Sequence, residues 1–565
     1  MDPVGPYPEP LTPLAFLDRS AAVFGDRLAV VDGDLRFTYA ELADRSARLA
    51  GALAALGVAP GDRVAVLSPN SHVLVEAHFG VNLAGAVLVA LNTRLGSREL
   101  AGILAHCGAR VLVVDGELAE LAAGAIAGLD GAGATGPTGA VGPTGAAGGA
   151  GAAGGAGVAG AAVPPVVTVE AGFTGSRYET LLAEAAPLRV PVVAEDGLVS
   201  LSYTSGTTGE PKGAMYSHRS AYLQGVAQVV HGGLDPSSVF LWTLPMFHCN
   251  GWGYPWAVTA AGAVHLCLRR VDAAAIWRHL HADGVTHFNA APTVLSMIAD
   301  HPDPGGRLPT EVRVATGGAP PTPALLERMG DLNIRITHLY GLTETLGPAL
   351  VCEWRPEWDG LDAPARARLS ARQGVVTVAA TKVRVVQADG VGVGVGGDVP
   401  ADGETAGEIW LRGPTVMRGY YRDPAGTRAA FSDGWLRTGD LGVVHPDGYV
   451  EIRDRAKDVI ISGGENISSV EVERALCEHP AVAEAAVVAK PDDRWGETPV
   501  AFVVLRPGAV ATAEELAAHL RGLLARFKVP RRIEVGDLPK TATGKIRKNE
   551  LRAWVAEHDG PWEAQ

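Results

Sequence analysis

Short apolar runs alternate with helix-length amphipathic segments through the first hundred residues, and this alternation restricts the fold more than any other feature of the chain. DRVAVLSPN (62–70) and ARVLVVDG (109–116) read as strands closed by turn residues. LRFTYAELADRSARLAGALAALG (35–57) reads as a short strand running into an amphipathic helix, with Thr38 and Glu41 at the spacing of a capping box. Strands that alternate with helices are covered on both faces, so the pattern predicts an α/β fold with largely parallel sheets. It resumes from Asp196 to Arg453, where IWLRGPTVMRGYY (409–421) and YVEIRD (449–454) read as strands of a smaller β unit. Beyond Arg455 the order changes: VEVERALCEHP (470–480) is a helix, AVAEAAVVAK and ETPVAFVVLR are strands, and TAEELAAHLRGLLARF (512–527) is one long helix. The chain therefore divides into an N-terminal unit, 1–453, and a small α+β C-terminal domain, 454–565, joined within RDRAKDVI (453–460).

Composition matters in three places. Glycine makes up 71 of the 565 residues, and from Gly133 to Gly160 it recurs at every third position. That period is the collagen period, but Pro137 and Pro143 alone stiffen it. A Gly/Ala insertion at about 131–163, forming a flexible surface loop, is the expected reading, and a triple helix that trimerises the protein is the alternative. The net charge of −14 removes the electrostatic footprint of a general nucleic-acid binder, so an anionic ligand has to be held locally. Five dispersed cysteines without a C-x-x-C pair argue against a disulfide scaffold and for a reducing compartment. The first residues, MDPVGPYPEP, lack a basic-then-apolar leader, the last, PWEAQ, are no S-K-L-type address, and no run is apolar enough for stable membrane insertion; the expectation is a cytoplasmic monomer or homodimer.

The chemistry is concentrated in LSYTSGTTGEPKGAMYSHRS (201–220). Thr204, Ser205, Gly206, Thr207, Thr208 and Gly209 combine hydroxyl donors with backbone free to turn its N–H groups toward an anion, and Lys212 adds a point charge. This is a phosphate-binding composition, but the glycines do not have Walker A spacing to Lys212.

YTSGTTGEPKG also resembles the signature of the adenylate-forming superfamily, which holds acyl-CoA synthetases, luciferases and peptide-synthetase adenylation domains. Five further segments resemble that family's motifs in the same order: GGAPP (317–321), HLYGLTET (338–345), GWLRTGD (434–440), DGYVEIRDRAKDVIISGGENIS (447–468) and LPKTATGKIRK (538–548). The resemblance implies a large domain of two helix-flanked sheets plus a small barrel-like β unit, and a mobile C-terminal domain. It also implies that ATP, Mg²⁺ and coenzyme A are used to convert a small carboxylic acid into acyl-adenylate and then acyl-CoA. The substrate carboxylate is itself the nucleophile, so the protein's task is positioning and charge neutralisation.

By the same resemblance, Thr204 to Lys212 hold the β- and γ-phosphates, Gly318, Ala319 and Pro320 lie at adenine, and Tyr340 stacks on it within the His338–Gly341 motif. Thr343 donates to the α-phosphate. Glu344 ligates Mg²⁺, with Thr204 beside it. Asp440 and Arg455 hold the ribose, and Lys545 bridges carboxylate and α-phosphate. Lys457 is the hinge, and Ser462, Gly463 and Gly464 pass the pantetheine arm. His248, in LWTLPMFHCNGWGYPW (241–256), is expected to line and gate the acyl pocket, with Trp252 and the loop 287–292 as further lining; Cys249 is expected to pack. PMFHCNGW resembles the branch acting on short- and medium-chain or small substituted acids. An acyl-AMP ligase loading a separate carrier protein remains an alternative, as does a structural protein trimerised by the Gly-X-Y tract around a degenerate nucleotide site.

Overall fold

The computed structural model describes residues 9–132, 164–169, 177–204, 211–301, 305–318, 321–379, 382–387, 397–455, 458–462, 465–492, 495–541, 545–558, 560 and 562. The period-three tract lies outside the described residues.

A helix, Leu14–Phe24, precedes strands β1 (Leu28–Asp32) and β2 (Leu35–Thr38). Between them and the next sheet runs helix Tyr39–Ala55, whose Thr38 and Glu41 form the reciprocal capping box expected from their spacing. Strands β3 (Arg63–Leu67), β4 (Val87–Ala90), β5 (Ala109–Asp115), β6 (Val166–Val169), β7 (Leu198–Thr204) and β8 (Lys212–Ser217) form a six-stranded sheet in the order β6-β5-β3-β4-β7-β8. All its pairings are parallel except the β7–β8 hairpin. Helix His72–Leu83 is buried on every side, as a helix between two layers must be when both faces are apolar.

β9 (Val239–Trp242), β10 (Val264–Cys267), β11 (His287–Ala290), β12 (Val312–Thr316), β13 (Ile334–Leu342), β14 (Gly347–Val351) and β15 (Val375–Val376) complete a nine-stranded sheet with β1 and β2, in the order β15-β14-β13-β12-β11-β9-β10-β1-β2. Its central strands are parallel, as the strand–helix alternation requires. β16 (Lys382–Val386), β17 (Gly407–Arg412), β18 (Phe431–Ser432), β19 (Trp435–Val444) and β20 (Val450–Arg455) make the expected smaller antiparallel unit. The C-terminal α+β part carries β21 (Ile460–Ser462), β22 (Glu465–Ile467), β23 (Val482–Asp492), β24 (Gly496–Leu505) and β25 (Arg532–Val535) with helices on them.

Two sequence expectations need correction. IWLRGPTVMRGYY is strand only through Arg412; its remainder leaves the sheet and bridges to β8, where Met215 N–H donates to the Gly419 carbonyl and Ala214 faces Tyr420. TAEELAAHLRGLLARF is helical only over Ala513–Leu523, and a separate 3₁₀ turn follows at Arg526–Lys528. β20 pairs with β19 as far as Arg455, within the RDRAKDVI segment.

An ionic cluster ties the layers together. Arg45 meets fully buried Glu76 at 2.6 Å and Glu179 at 2.7 Å, and Tyr178 donates to Glu76 at 2.6 Å. His72 shares its proton with Asp32 at 2.7 Å. Burial opposes that charge, yet Asp32 and Glu179 raise the imidazolium to about 9.

Candidate active site

Thr204 pairs with Lys212 at the end of the β7–β8 hairpin. Ser205, Gly206, Thr207, Thr208 and Gly209 lie outside the described residues. The Lys212 ammonium stands 5.2 Å from the centre of the Tyr420 ring. Tyr420 donates to Glu344 Oε1 at 2.6 Å, while the Glu344 carbonyl accepts from Met417 N–H at 2.7 Å. One hairpin lysine and one acidic side chain from the far sheet are thus linked through a single tyrosine.

Glu344 belongs to the 3₁₀ turn Thr343–Thr345 that joins β13 to β14. Thr345 fixes the turn by accepting from Leu342 N–H at 2.8 Å and donating to the Gly347 carbonyl at 2.7 Å. Tyr216, on β8, donates to the Thr343 carbonyl. Gly341 is required by packing: a Cβ there would stand 1.9 Å from the Gly347 carbonyl oxygen. One residue earlier, Tyr340 donates to Asp440 Oδ2 at 2.7 Å, and both are buried. Asp440 lies opposite Arg455 in the β19–β20 ladder, so those two motif residues are backbone neighbours.

His338 behaves differently from the rest of its motif. Its Nδ1 lies 3.0 Å from the carbonyls of Ala371 and of Arg372, and burial lowers the imidazolium to about 4, so the ring serves the packing of β13. Gly318 has φ +87° with open space where a side chain would point; Ala319 and Pro320 lie outside the described residues, as do Lys457, Gly463 and Gly464. Ser462 ends β21 opposite Glu465.

The third wall comes from residues 248–253. Cys249, Asn250, Gly251, Trp252 and Gly253 all have positive φ, forming a left-handed turn of five residues. A non-glycine residue in this region costs on the order of 1–3 kcal/mol and persists only when its surroundings fix it. Here Ser200 donates to Asn250 Oδ1 at 3.2 Å, and Gly253 exists because a Cβ would meet the Gln224 side chain at 2.7 Å. The turn brings Cys249 Sγ to 3.5 Å from Thr343 Oγ1. Burial pushes that thiol up to about 12, so it is a protonated packing group, not a nucleophile.

Lys545 arrives from the C-terminal domain, its N–H on Thr541 Oγ1 at 3.1 Å and its carbonyl accepting from Thr541 N–H at 2.7 Å. Its ammonium acts on His248: burial first, and then this cation, pull the imidazolium down to about 4. His248, Cys249, Thr343, Glu344, Tyr420 and Lys212 are therefore connected in one chain of contacts drawn from both sheets. Sequence reading missed Tyr216, Met417 and Tyr420. RGYY carries no motif signal, and it enters the site only because the chain leaves β17 after Arg412.

Residues 17–421 match the model of the AMP-binding enzyme family, and residues 471–545 match the AMP-binding enzyme C-terminal domain. The chain belongs to the AMP-binding enzyme family. Among its relatives, the peroxisomal acetate/butyrate–CoA ligase of Arabidopsis thaliana is 42% identical over 97% of this chain and 95% of its own length. The 2-methylpropanoate–CoA ligase of Humulus lupulus is 42% identical over 98% of this chain and 97% of its own. Among solved structures, ATP-bound MatB from Rhodopseudomonas palustris superposes with a TM-score of 0.78 at 26% identity, covering 96% of this chain and 98% of that one. An anthranilate CoA ligase in complex with anthranoyl-AMP gives 0.80 at 25% identity, covering 97% and 98%.

Proposed function

We propose that this protein is an AMP-forming acid–CoA ligase that converts a short-chain carboxylic acid to its acyl-adenylate and then to acyl-CoA. The observation that carries the reading is the Thr343–Glu344 turn, held between Cys249 and Tyr420, with Lys212 over the Tyr420 ring. The names of the relatives, ligases of acetate, butyrate and 2-methylpropanoate, favour acids of two to four carbons.

In the first step the substrate carboxylate attacks the α-phosphorus of ATP, a P–O bond forms, and pyrophosphate leaves with the electron pair of the broken bond. No protein nucleophile is used, in keeping with the protonated Cys249. Lys212 and Lys545 offset charge on the phosphate oxygens, and Thr343 supplies a hydroxyl donor. Asp440, held by Tyr340, is an acceptor for ribose hydroxyls, and Arg455 stands beside it in the ladder. The donor set fits magnesium: Tyr420 fixes one Glu344 oxygen and leaves the other for a hard cation near Thr204, and one carboxylate with substrate phosphates is the usual arrangement for that ion. Bound there, Mg²⁺ would neutralise charge on the triphosphate.

In the second step the thiolate of coenzyme A attacks the acyl carbonyl, a C–S bond forms, and AMP departs as the C–O bond breaks. We place the rotation that exchanges the two steps at Lys457, two residues after Arg455, with Gly463 and Gly464 passing the thiol arm. His248 is proposed to gate the acyl pocket. We propose a cytoplasmic site of action, in keeping with the free thiols; no helix among the described residues is long and apolar enough to cross a membrane.

The test supplies ATP, Mg²⁺, coenzyme A and straight-chain acids from acetate to dodecanoate, and measures AMP and acyl-CoA. Acyl-CoA formed best from the short acids is the expected result. Pyrophosphate released without any thioester would sink the ligase reading.

A further inference from the structure

The C-terminal domain carries Lys545, so the first step depends on how that domain is held against β20, the strand that precedes it. Helix Ser469–Cys477 begins on the buried Asp454, whose carboxylate accepts from Ser469 N–H at 2.5 Å and from Ser469 Oγ at 3.0 Å. Ser468 Oγ donates to the Arg453 carbonyl at 2.7 Å. Farther along the helix, Arg474 Nη1 donates to Glu451 Oε1 at 3.0 Å. The same helix is tied to the segment that bears Lys545. Glu473, next to Arg474, meets Lys548 at 2.6 Å, and Lys548 also donates to Ser469 Oγ at 2.7 Å. Lys548 stands three residues beyond Lys545, so moving the helix moves the lysine. In the orientation described, the Lys545 charge is felt at His248.

These contacts respond differently to a rotation at Lys457. Asp454 is one residue before Arg455, at the end of β20, whereas Glu451 is four residues before it, about 13 Å at 3.3 Å per residue of strand. Displacement grows with distance from a pivot, so a swing parts Arg474 from Glu451 more than it shifts Ser469 against Asp454. Opening this ion pair also costs little. His445 Nε2 lies 2.9 Å from Glu451 Oε2, and Arg453 Nη1 lies 3.3 Å from Oε1. Both partners stand on the same side of the pivot as Glu451, so the carboxylate keeps them when Arg474 leaves. The Arg474 side chain is already 38% exposed and can turn to water. A pair that opens without leaving a buried charge alone suits an orientation that must be given up once per turnover.

We propose that Glu451 and Arg474 are positioning residues, whose ion pair fastens the C-terminal domain in the orientation for acyl-adenylate formation and opens before coenzyme A attacks. The proposal rests on the ligase reading above and on the pivot at Lys457. It assigns the hold on the first orientation to one ion pair on the flank of β20, outside the residues that meet ATP.

The experiment follows the two half-reactions separately in the whole protein. Butyrate-dependent exchange of labelled pyrophosphate into ATP reads the first, and butyryl-CoA formed from synthetic butyryl-adenylate reads the second, with thermal melts as the check on folding. Arg474→Met removes the charge and keeps the length of the side chain. It should slow exchange roughly 2- to 5-fold and leave thioester formation unchanged or faster, since a partly exposed ion pair shifts an equilibrium by about that factor. Glu451→Gln should act in the same direction, and the double variant should be no slower than the slower single one, because the two residues share one contact. Arg474→Lys, which keeps the charge, should recover most of the exchange. An equal loss in both half-reactions, or exchange unchanged in both single variants, overturns the latch and leaves the ligase reading standing. If Arg474→Met does not fold, Glu451→Gln decides alone: slowed exchange with thioester formation spared supports the latch, and any other result overturns it. A wild type that exchanges pyrophosphate with no acid from acetate to dodecanoate overturns both readings.

Discussion

Protonation separates the histidines into two groups. Burial lowers His78, His218, His248 and His338 to about 4 and His265 to about 3, whereas Asp32 and Glu179 raise His72, against its burial, to about 9. A lowered histidine contributes stability that is fully present above the unfolded value of about 6.5 and is lost as pH falls toward 4. His72 contributes in the opposite sense: its share is complete below about 6.5 and is lost as pH rises toward 9. Burial lowers His287 as well, and six groups against one predict a melting temperature that drops steeply between pH 6.5 and 4 and only slightly between pH 6.5 and 9; calorimetry across that range checks it, and a flat acid limb would contradict neutral buried histidines. Lys545 makes a second prediction. Lys545→Ala should slow acyl-adenylate formation by ~100-fold or more while sparing thioester formation from a synthetic acyl-adenylate, because its charge is needed only where the phosphate reacts. An equal loss in both half-reactions of a folded variant would refute the exchange of faces. At this scale the roles given to Lys212, Asp440 and Lys545 rest on the motifs they stand in. It was uninformative for His338, since nothing in HLYGLTET tells that the ring turns to the Ala371 and Arg372 carbonyls.

Local elements were legible when their signal is local. Thr38 and Glu41 announce a helix start because the capping box needs only three residues of spacing. The left-handed turn at Cys249–Gly253 has no such signal. Its conformation is imposed by Ser200, Gln224 and the glycines facing it, all distant in sequence, against the intrinsic preference of Cys, Asn and Trp. The missing second half of IWLRGPTVMRGYY has the same origin, since hydrogen bonds to β8 outweigh a strand-like composition. Glycine substitutions test how tightly such elements are fixed. Gly347→Ala combines φ +88° with a contact of 2.8 Å to Trp252 Cα. It should cost about 1–3 kcal/mol in urea unfolding and lower acyl-CoA formation. Gly102→Ala, inside helix Ser97–Cys107 with nothing within 4 Å of the new Cβ, should instead gain about 0.4–1 kcal/mol. If both shift the urea midpoint in the same direction, the packing account of Gly347 fails.

For the whole molecule, the sheet order decides how the Gly/Ala tract is read. The tract interrupts the crossover from β5 to β6, and β6 is an edge strand. The β7–β8 hairpin lies at the opposite edge of the same sheet, with β5, β3 and β4 between β6 and β7. The chain returns to the fold at once: Val166–Val169 pairs with β5, and Tyr178 and Glu179 join Arg45 and Glu76. Deleting residues 131–160 should therefore leave both the oligomeric state and acyl-CoA formation unchanged, as read by light scattering and the ligase assay. A fall from trimer to monomer would instead establish the tract as an assembly device. Sequence alone gave the α/β class and the two-part division, because alternation and motif order survive without distances. It could not give the distance across the sheet between tract and site, which is set by strand order. That distance has a practical consequence. A crossover that already accommodates some thirty residues of simple composition is a natural splice point for a reporter or an affinity module. An enzyme tethered there would be held by the edge of its sheet farthest from the hairpin tip, leaving the chemistry free to face the solution.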